Sequence, residues 1–159
     1  MNYTPQVGDY FVVKTNGFFG SLIRLGTLSR WNHAGIYIGE GKIIEANPQG
    51  VQVTELNQYS LVAWNKHEGI TDKQKNQIVK YAQELVGKPY AFWDIARLTL
   101  RIIGLKIFAE TKFMRYLSTK DGYICSELVA ESYESAGVIF PKSPAEVTPG
   151  DLAERIIYQ

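Results

Sequence analysis

The first half of the chain alternates short apolar runs with glycine-containing turns, a pattern typical of β-strands. The segment VGDYFVVK (7–14) predicts a turn that leads into a strand. The runs HAGIYI and KIIEA flank Gly39-Glu40-Gly41, whose glycines tolerate the positive φ angles of a tight turn, so this stretch predicts a β-hairpin. A short helix is expected at 18–25, and two further strands are expected at 51–54 and 61–64. These elements predict a first half that is mainly antiparallel sheet.

The second half has the longer period of amphipathic helices. Thr71 is a suitable N-cap for a helix that extends to Val86, where Gly87 and a following proline end it. Because strands precede helices and no linker or repeat separates them, we predict a single α+β domain over residues 1–159. Further helical elements are predicted at 92–117 with a break at Gly104, at 125–136, and from Thr148-Pro149 onward.

Composition and charge exclude several classes of protein. With 159 residues and 45% hydrophobic residues, the chain suits one domain with a core of its own. The 17 basic and 16 acidic residues nearly cancel, so nucleic acid is not expected as a partner. Cys125 is the single cysteine, which excludes an intramolecular disulfide and zinc sites made from paired cysteines. The two histidines lie in different settings and form no recognisable ligand set, so we expect neither a metal nor an organic cofactor.

The N-terminal sequence MNYTPQVGDYFVVK has neither the basic start nor the apolar core of a secretory signal peptide. No apolar run reaches the length of a membrane-spanning helix. We therefore expect a cytoplasmic protein, or one that a phage delivers to its substrate. The sequence leaves the oligomeric state open.

Cys125 lies at the predicted start of a helix, in the segment DGYICSELVA (121–130). Free backbone N–H groups and the positive end of the helix dipole favour a thiolate there, and the same N–H groups can bind an oxyanion. Glu127, in the same first turn, is expected to point outward. The alternative interpretation is an inert, buried cysteine, because Leu128 and Val129 follow on a face suited to the core.

A cysteine nucleophile requires a base, and the chain offers His33 and His67. His33 begins a predicted strand, where its side chain can face a cleft, whereas His67 lies in the polar run WNKHEG. We therefore expect His33 to meet Cys125 at the end of the sheet. The alternative for either histidine is a purely structural role.

Four segments resemble, in a consistent order, the NlpC-type papain-like cysteine hydrolases: HAGIYIG, IIEA, GKPY and YICSELV. The histidine precedes the cysteine, which resembles the circularly permuted, YiiX-like branch, a group related to the lecithin:retinol acyltransferases. The resemblance spans about residues 7–137. It implies a papain-like α+β fold, in which a helix that starts with the nucleophile packs against a small antiparallel sheet that carries the histidine.

By this resemblance, Cys125 is the nucleophile and His33 is the base. The family's third polar residue follows the histidine by twelve positions, and this position is Glu45. A carboxylate there would stabilise the imidazolium ion and fix the tautomer of the ring, as the third member of a triad does.

The simple hairpin registers do not bring Glu45 to His33. A two-residue turn pairs Glu45 with Ile36, on the opposite face of the sheet, whereas a three-residue turn leaves Glu45 about 13 Å along the strand from His33. A bulge or strong coiling of the hairpin is therefore needed for contact. Otherwise the orienting residue is one of two that lie nearer in these registers, Asn47 or Gln49.

Aromatic residues near these motifs are candidates for substrate binding or for assistance to the oxyanion. Tyr90, in the GKPY motif, matches an aromatic position that lines the site in the family, and its alternative role is to cap the core from a loop. Tyr123 and Trp31 are weaker candidates of the same kind, and neither is expected to act in catalysis.

The segment 92–117 combines apolar bulk with five basic and two acidic residues. It is expected to form helices that pack on the core, although a lid over the cleft or an interfacial helix in weak contact with lipid also fits this pattern. The charged residues are Arg97, Arg101, Lys106, Lys112, Arg115, Asp94 and Glu110.

Together these observations predict a cysteine hydrolase that cleaves amide bonds through a thioester. The resemblance implies cell-wall (peptidoglycan) peptides as substrates. One alternative is a lipid acyl hydrolase or acyltransferase with the same Cys–His chemistry. A second alternative is an inactive binding module of the same fold.

Overall fold

The structure is a computed structural model in which residues 3–16, 29–60, 62–65, 69–91, 104 and 122–155 are described. The predicted helix at 18–25, the predicted helical segment 92–117 apart from Gly104, and His67 lie outside the described residues. Within the described part, no helix has the length and apolarity needed to cross a membrane.

Five strands in the described residues form one antiparallel sheet with the order β4-β3-β2-β1-β5. All five predicted strands are found, so the prediction of an antiparallel first half is confirmed. The strands are β1 (Tyr10–Val13), β2 (His33–Gly39), β3 (Lys42–Asn47), β4 (Gly50–Glu55) and β5 (Val62–Trp64).

Helices in the described part begin where the sequence predicts caps. Thr71 caps the first helix: its hydroxyl accepts from the Gln74 N–H at 3.3 Å, and the Gln74 side chain accepts from the Thr71 N–H at 3.0 Å. Thr148 and Asp151 form the same reciprocal cap. The helices are α1 (Asp72–Glu84), α2 (Cys125–Ser135) and α3 (Pro149–Ala153), and 3₁₀ turns lie at Leu56–Gln58 and Pro144–Glu146.

The first helix, α1, ends at Glu84, two residues before the predicted end at Val86. Gly87 has a φ of 92°, and its N–H donates to the Val51 carbonyl at 2.8 Å. The Val51 N–H in turn donates to the Lys88 carbonyl at 2.9 Å. The chain therefore leaves the helix early because it pairs with the outer edge of β4, an interaction that the local sequence does not reveal.

The hairpin β2–β3 contains the feature that positions the site. Its turn is the two-residue one, with Gly39 opposite Lys42, but the register shifts between Tyr37 and Gly39. This bulge places Glu45 opposite Gly35, instead of opposite Ile36 as a regular two-residue hairpin requires. Because side chains alternate along a strand, Glu45 then lies on the same face as His33.

The two faces of the sheet carry different cores. The helices cover one face, where strand residues such as Tyr10, Ile36 and Ile44 pack with Leu128 of α2 and Ile78 of α1. The opposite face has a smaller apolar layer, which is formed by Phe11, Val13 and Ile43 with Tyr37, Leu56, Tyr59, Val62 and Trp64.

Gly35 is required by the second layer. A Cβ atom at this position would lie 2.8 Å from the Phe11 ring and 2.9 Å from the Ile44 carbonyl oxygen. The absent side chain allows the Phe11 ring to lie directly over Gly35 of β2.

Candidate active site

Cys125 is the first residue of α2, and its side chain is buried. The segment before it is fixed by a short parallel bridge between Tyr90 and Tyr123. The Tyr123 N–H donates to the Pro89 carbonyl at 3.0 Å, and the Ala91 N–H donates to the Tyr123 carbonyl at 3.1 Å. Hydrogen bonds to the end of the GKPY segment therefore fix the position of the residues that directly precede Cys125.

The remaining first turn of α2 is anchored on both sides. The Ser126 hydroxyl donates to the Val147 carbonyl at 2.6 Å, and both the hydroxyl and the helix start are buried. Glu127 is half-buried and folds back toward the cap, where its Oε2 accepts from the Ile124 N–H at 3.5 Å. Backbone N–H groups at the N-terminus of a helix point away from it toward the solvent or a ligand, so those at the start of α2 are suited to bind an oxyanion.

His33 opens β2 and pairs with Val13 of β1. The preceding residue, Asn32, is buried, and its side chain accepts from the Thr15 N–H at 2.7 Å and donates to the Thr15 carbonyl at 2.9 Å. This clamp fixes the beginning of the strand. It holds the imidazole at the end of the sheet, and only 9% of the His33 surface is exposed.

The imidazole of His33 contacts Glu45, and Cys125 lies near enough to influence its pKa. Its Nε2 atom lies 2.7 Å from Oε2 of Glu45, and interaction with Cys125 raises the pKa of the ring, so the thiol lies near the imidazole. Because Nε2 is occupied by the carboxylate, Nδ1 is the nitrogen that remains for the sulfur. The structure thus brings Cys125, His33 and Glu45 together across 92 residues of sequence.

Glu45 is almost completely buried, with 1% of its surface exposed. A buried carboxylate requires donors for its oxygens, and this one receives them from the other strands and from the 3₁₀ turn. Its Oε2 binds His33 at 2.7 Å and Tyr59 Oη at 2.6 Å. Its Oε1 accepts from Thr54 Oγ1 at 2.9 Å, Gln58 Nε2 at 3.4 Å and Asn47 Nδ2 at 3.4 Å.

The electrostatic environment of His33 and Glu45 favours an ion pair between them. Burial disfavours the charged imidazole, but the hydrogen bond and charge of Cys125, together with those of Glu45, raise the pKa of His33 to about 10. Burial also disfavours the carboxylate, but His33, Tyr59 and Thr54 lower the pKa of Glu45 to about 2. Over the neutral range the imidazolium and carboxylate forms are therefore both favoured.

Among the predicted orienting residues, the structure places Glu45 at the imidazole. Asn47 lies beside Glu45 and contacts its Oε1, while its own Oδ1 accepts from the Gln49 N–H at 3.0 Å. Gln49 is exposed. The bulge at the hairpin is the reason that Glu45 reaches His33, since it shifts the partner of Glu45 from Ile36 to Gly35.

The three predicted aromatic residues have different surroundings. Burial and then the charge of Cys125 raise the pKa of Tyr90, so its phenol lies near the thiol. Tyr123 interacts with Glu131 and Tyr81, and burial and these two residues raise its pKa. Trp31 is buried in the core on the helix side of the sheet, with the Arg30 guanidinium 4.8 Å from its ring. Substrate binding by Tyr123 and by Trp31 stays a prediction.

Tyr59 and Thr54 were not identified from the sequence. Thr54 lies two residues after Gln52, the register partner of Glu45, so knowledge of the β3–β4 pairing is sufficient to place it on the face of Glu45. Tyr59 follows the 3₁₀ turn Leu56–Gln58, which returns the chain over the sheet. No sequence pattern predicts this return.

In the described part of the chain, no three His, Cys, Asp or Glu side chains are grouped so that they could hold a metal ion. The Nε2 atom of His33 is already bound to Glu45.

Known proteins similar to this chain were identified by sequence and by structure. Residues 5–96 match the family described as permuted papain-like amidase enzyme, YaeF/YiiX, C92 family. This match includes His33, Glu45 and Tyr90 and ends before Cys125. The curated proteins contain no match.

A solved structure similar to this chain is the crystal structure of metalloprotein yiiX from Escherichia coli O157:H7. The two chains are 22% identical with a TM-score of 0.62, over 84% of this chain and 67% of that chain. This similarity confirms the predicted α+β fold, with helices packed on a small antiparallel sheet.

Proposed function

This chain belongs to the family of permuted papain-like amidases, C92, and from that membership we propose that Cys125, His33 and Glu45 form its catalytic triad and act on an amide bond of cell-wall peptides. The predicted resemblance to the permuted, YiiX-like cysteine hydrolases is confirmed by the family and fold matches. Cysteine amidase chemistry in general follows from the family. The triad assignment and the cell-wall substrate are our proposals.

One observation carries the triad assignment. The His33 imidazole lies 2.7 Å from Glu45, and interaction with Cys125 raises the pKa of the same ring, so the base is near both residues. A nucleophile next to a base that is itself oriented by a third group is the arrangement that activates a cysteine.

In the proposed reaction, the Cys125 sulfur attacks the amide carbonyl carbon and the carbonyl electron pair moves to oxygen. Backbone N–H groups at the start of α2 bind this oxyanion, and the Tyr90 phenol, whose pKa the charge of Cys125 raises, is a candidate to assist them. When the C–N bond breaks, the imidazolium of His33 gives its proton to the leaving amine. The acyl group stays on sulfur as a thioester.

Hydrolysis of the thioester reverses the role of His33. The neutral imidazole takes a proton from water, the hydroxide attacks the thioester carbon, and the C–S bond breaks. The carboxylic acid leaves, and Cys125 and His33 regain their starting forms. Glu45 remains ionised throughout and stabilises the imidazolium.

YiiX is described as a metalloprotein, but in the described part of this chain no three His, Cys, Asp or Glu side chains are grouped so that they could hold a metal ion. The one described histidine uses Nε2 for Glu45, and the other nitrogen is needed for the sulfur. These residues do not fit a metal centre, and no step of the proposed reaction uses a metal.

The cell-wall substrate is tested with digested peptidoglycan. We expect the protein to release free amines from it, and we expect Cys125→Ala and His33→Ala to abolish the release. Gln49→Ala is the matched control, because Gln49 is exposed on the turn after β3. Amine release that survives Cys125→Ala contradicts the proposal.

A second candidate function is that of a lipid acyl hydrolase or acyltransferase, which would use the same thioester chemistry. The basic and apolar composition of segment 92–117 favours this candidate. Phospholipid vesicles are the discriminating substrate. Fatty-acid release that requires Cys125, without amine release from peptidoglycan, overturns the cell-wall proposal in favour of the lipid one.

A further inference from the structure

Glu45 has a second close partner on the oxygen that binds His33. The Tyr59 hydroxyl donates to Oε2 at 2.6 Å, while Nε2 of His33 lies 2.7 Å from the same atom. The two donors therefore converge on one carboxylate oxygen in a buried site, where hydrogen bonds to a charged group are strongest.

The Tyr59 side chain also packs on the imidazole. Its ring centroid lies 5.7 Å from that of His33 and 5.9 Å from that of Phe11. The phenol thus covers the side of the His33–Glu45 pair that faces away from the helices.

Backbone hydrogen bonds link Tyr59 to the β2–β3 hairpin and fix its position. The Tyr59 N–H donates to the Leu56 carbonyl at 3.0 Å, and the Leu56 N–H donates to the Gly41 carbonyl at 2.8 Å. The 3₁₀ turn is therefore tied to the turn between β2 and β3, the same hairpin that brings Glu45 to His33.

We propose that Tyr59 is a positioning residue of the active site, which orients Glu45 by donating to the oxygen that holds His33. This role rests on the proposed function of the triad. It is a positioning role, because the Tyr59 hydroxyl hydrogen bonds to Glu45, which in turn binds His33.

The charge distribution supports the role. Burial and then the hydrogen bond and charge of Glu45 raise the pKa of Tyr59, so the phenol keeps its proton and remains a donor. The Tyr59 hydrogen bond is also one of the contacts that lower the pKa of Glu45. The side chains that face Glu45 come from β2, β3, β4 and the 3₁₀ turn region, and they are His33, Asn47, Thr54, Gln58 and Tyr59.

The test compares Tyr59→Phe with a matched control, Tyr37→Phe. Tyr59→Phe keeps the ring and removes the hydroxyl. Tyr37 belongs to the same apolar layer, and its hydroxyl accepts from the Gly41 N–H at 3.3 Å, so Tyr37→Phe removes an equivalent group that is not bonded to Glu45. Thermal unfolding of each variant shows that the fold is kept.

Two readouts follow the proposal. The carboxyl carbon of Glu45, labelled with ¹³C and assigned with Glu45→Gln, reports the pKa of Glu45 by NMR. Alkylation of Cys125 by iodoacetamide at pH 7 reports the activated thiol without any assumption about substrate. We expect Tyr59→Phe to raise the pKa of Glu45 above its value of about 2 and to slow alkylation about tenfold.

Thr54→Val is a second variant, because it removes the donor to the other oxygen, Oε1. We expect it to raise the pKa of Glu45 while slowing alkylation less than Tyr59→Phe does. Equal slowing in the two variants contradicts a role specific to the oxygen that binds His33.

The outcomes separate this role from the proposed function. If wild-type protein is alkylated no faster than His33→Gln, the triad itself fails, and the role of Tyr59 fails with it. If the wild type is alkylated faster but Tyr59→Phe matches Tyr37→Phe in both readouts, only the role of Tyr59 is overturned.

Discussion

Nε2 of His33 lies 2.7 Å from Oε2 of Glu45, although a regular hairpin with the observed two-residue turn would place these two side chains on opposite faces of the sheet. A single bulge between Tyr37 and Gly39 makes the contact. It moves Glu45 opposite Gly35, and the carboxylate then reaches along the strand to the imidazole. The orientation of the base is therefore a property of the hairpin as a whole.

Charge and reach at position 45 are separable by substitution. Glu45→Gln keeps the shape and a hydrogen bond to His33 but removes the negative charge, whereas Glu45→Asp keeps the charge and shortens the side chain by one methylene. We expect both to slow alkylation of Cys125 by about tenfold to a hundredfold, since a hydrogen bond to a charged group contributes about 1.5 to 3 kcal/mol. Full activity in Glu45→Gln would show that the carboxylate charge is not used.

The His33 charge gives the stability a defined pH dependence. The pKa of His33 is about 10 in the folded protein and about 6.5 when unfolded, so the folded state holds the proton more tightly. The contribution of the His33 charge to the free energy of unfolding is fully present below pH 6.5 and is lost as the pH rises to 10.

We therefore expect the free energy of unfolding of wild-type protein, relative to His33→Gln, to fall between pH 6.5 and 10. Urea titrations at several pH values measure it, and the comparison cancels the titration of His67. A difference that stays constant over this range would show that His33 carries no raised pKa.

The helix that starts with Cys125 is held by a long-range hydrogen bond from Ser126 to the Val147 carbonyl, at 2.6 Å. Ser126→Ala leaves that carbonyl without this donor, and we expect a loss of about 1 to 3 kcal/mol together with slower alkylation of Cys125. Ser132→Ala is the matched control: Ser132 is equally buried on the same helix, but its hydroxyl donates locally to the Leu128 carbonyl. Equal losses in the two variants would contradict a special role of the Ser126 contact.

Close packing at Gly35 links the second apolar layer to the site. In Gly35→Ala the new Cβ atom would lie 2.8 Å from the Phe11 ring and 2.9 Å from the Ile44 carbonyl oxygen. Gly35 is the register partner of Glu45, so this clash would occur next to the active site. We expect a loss of about 1 to 3 kcal/mol in unfolding free energy. Phe11→Leu in the same chain should restore part of the loss, because it relieves the ring contact but not the backbone one; no restoration would contradict this account.

Local signals in the sequence were sufficient for much of the fold. The caps at Thr71 and Thr148, the glycine turn at residues 39–41 and the strand pattern all act within a few residues, and the structure contains each of them. The early end of α1 was not predictable from these signals, because Gly87 leaves the helix to pair with Val51 of β4.

The active site was harder to predict from the sequence than the fold, because it also depends on strand pairing that local signals do not reveal. Regular hairpins of either turn length leave Glu45 away from His33, and the sequence contains no mark of the bulge that corrects this. The donors Thr54 and Tyr59 become visible only when the β3–β4 register and the 3₁₀ turn are known. Resemblance to a family indicated Glu45 as the orienting residue, whereas the structure shows which side chains hydrogen bond to its carboxylate.

The rate of alkylation of Cys125 by iodoacetamide at pH 7, in wild-type protein and in His33→Gln, tests most directly whether the sulfur and the imidazole act as one unit. We predict that the wild type reacts at least about tenfold faster, because the imidazolium stabilises the attacking thiolate. Equal rates in the two proteins would contradict the account.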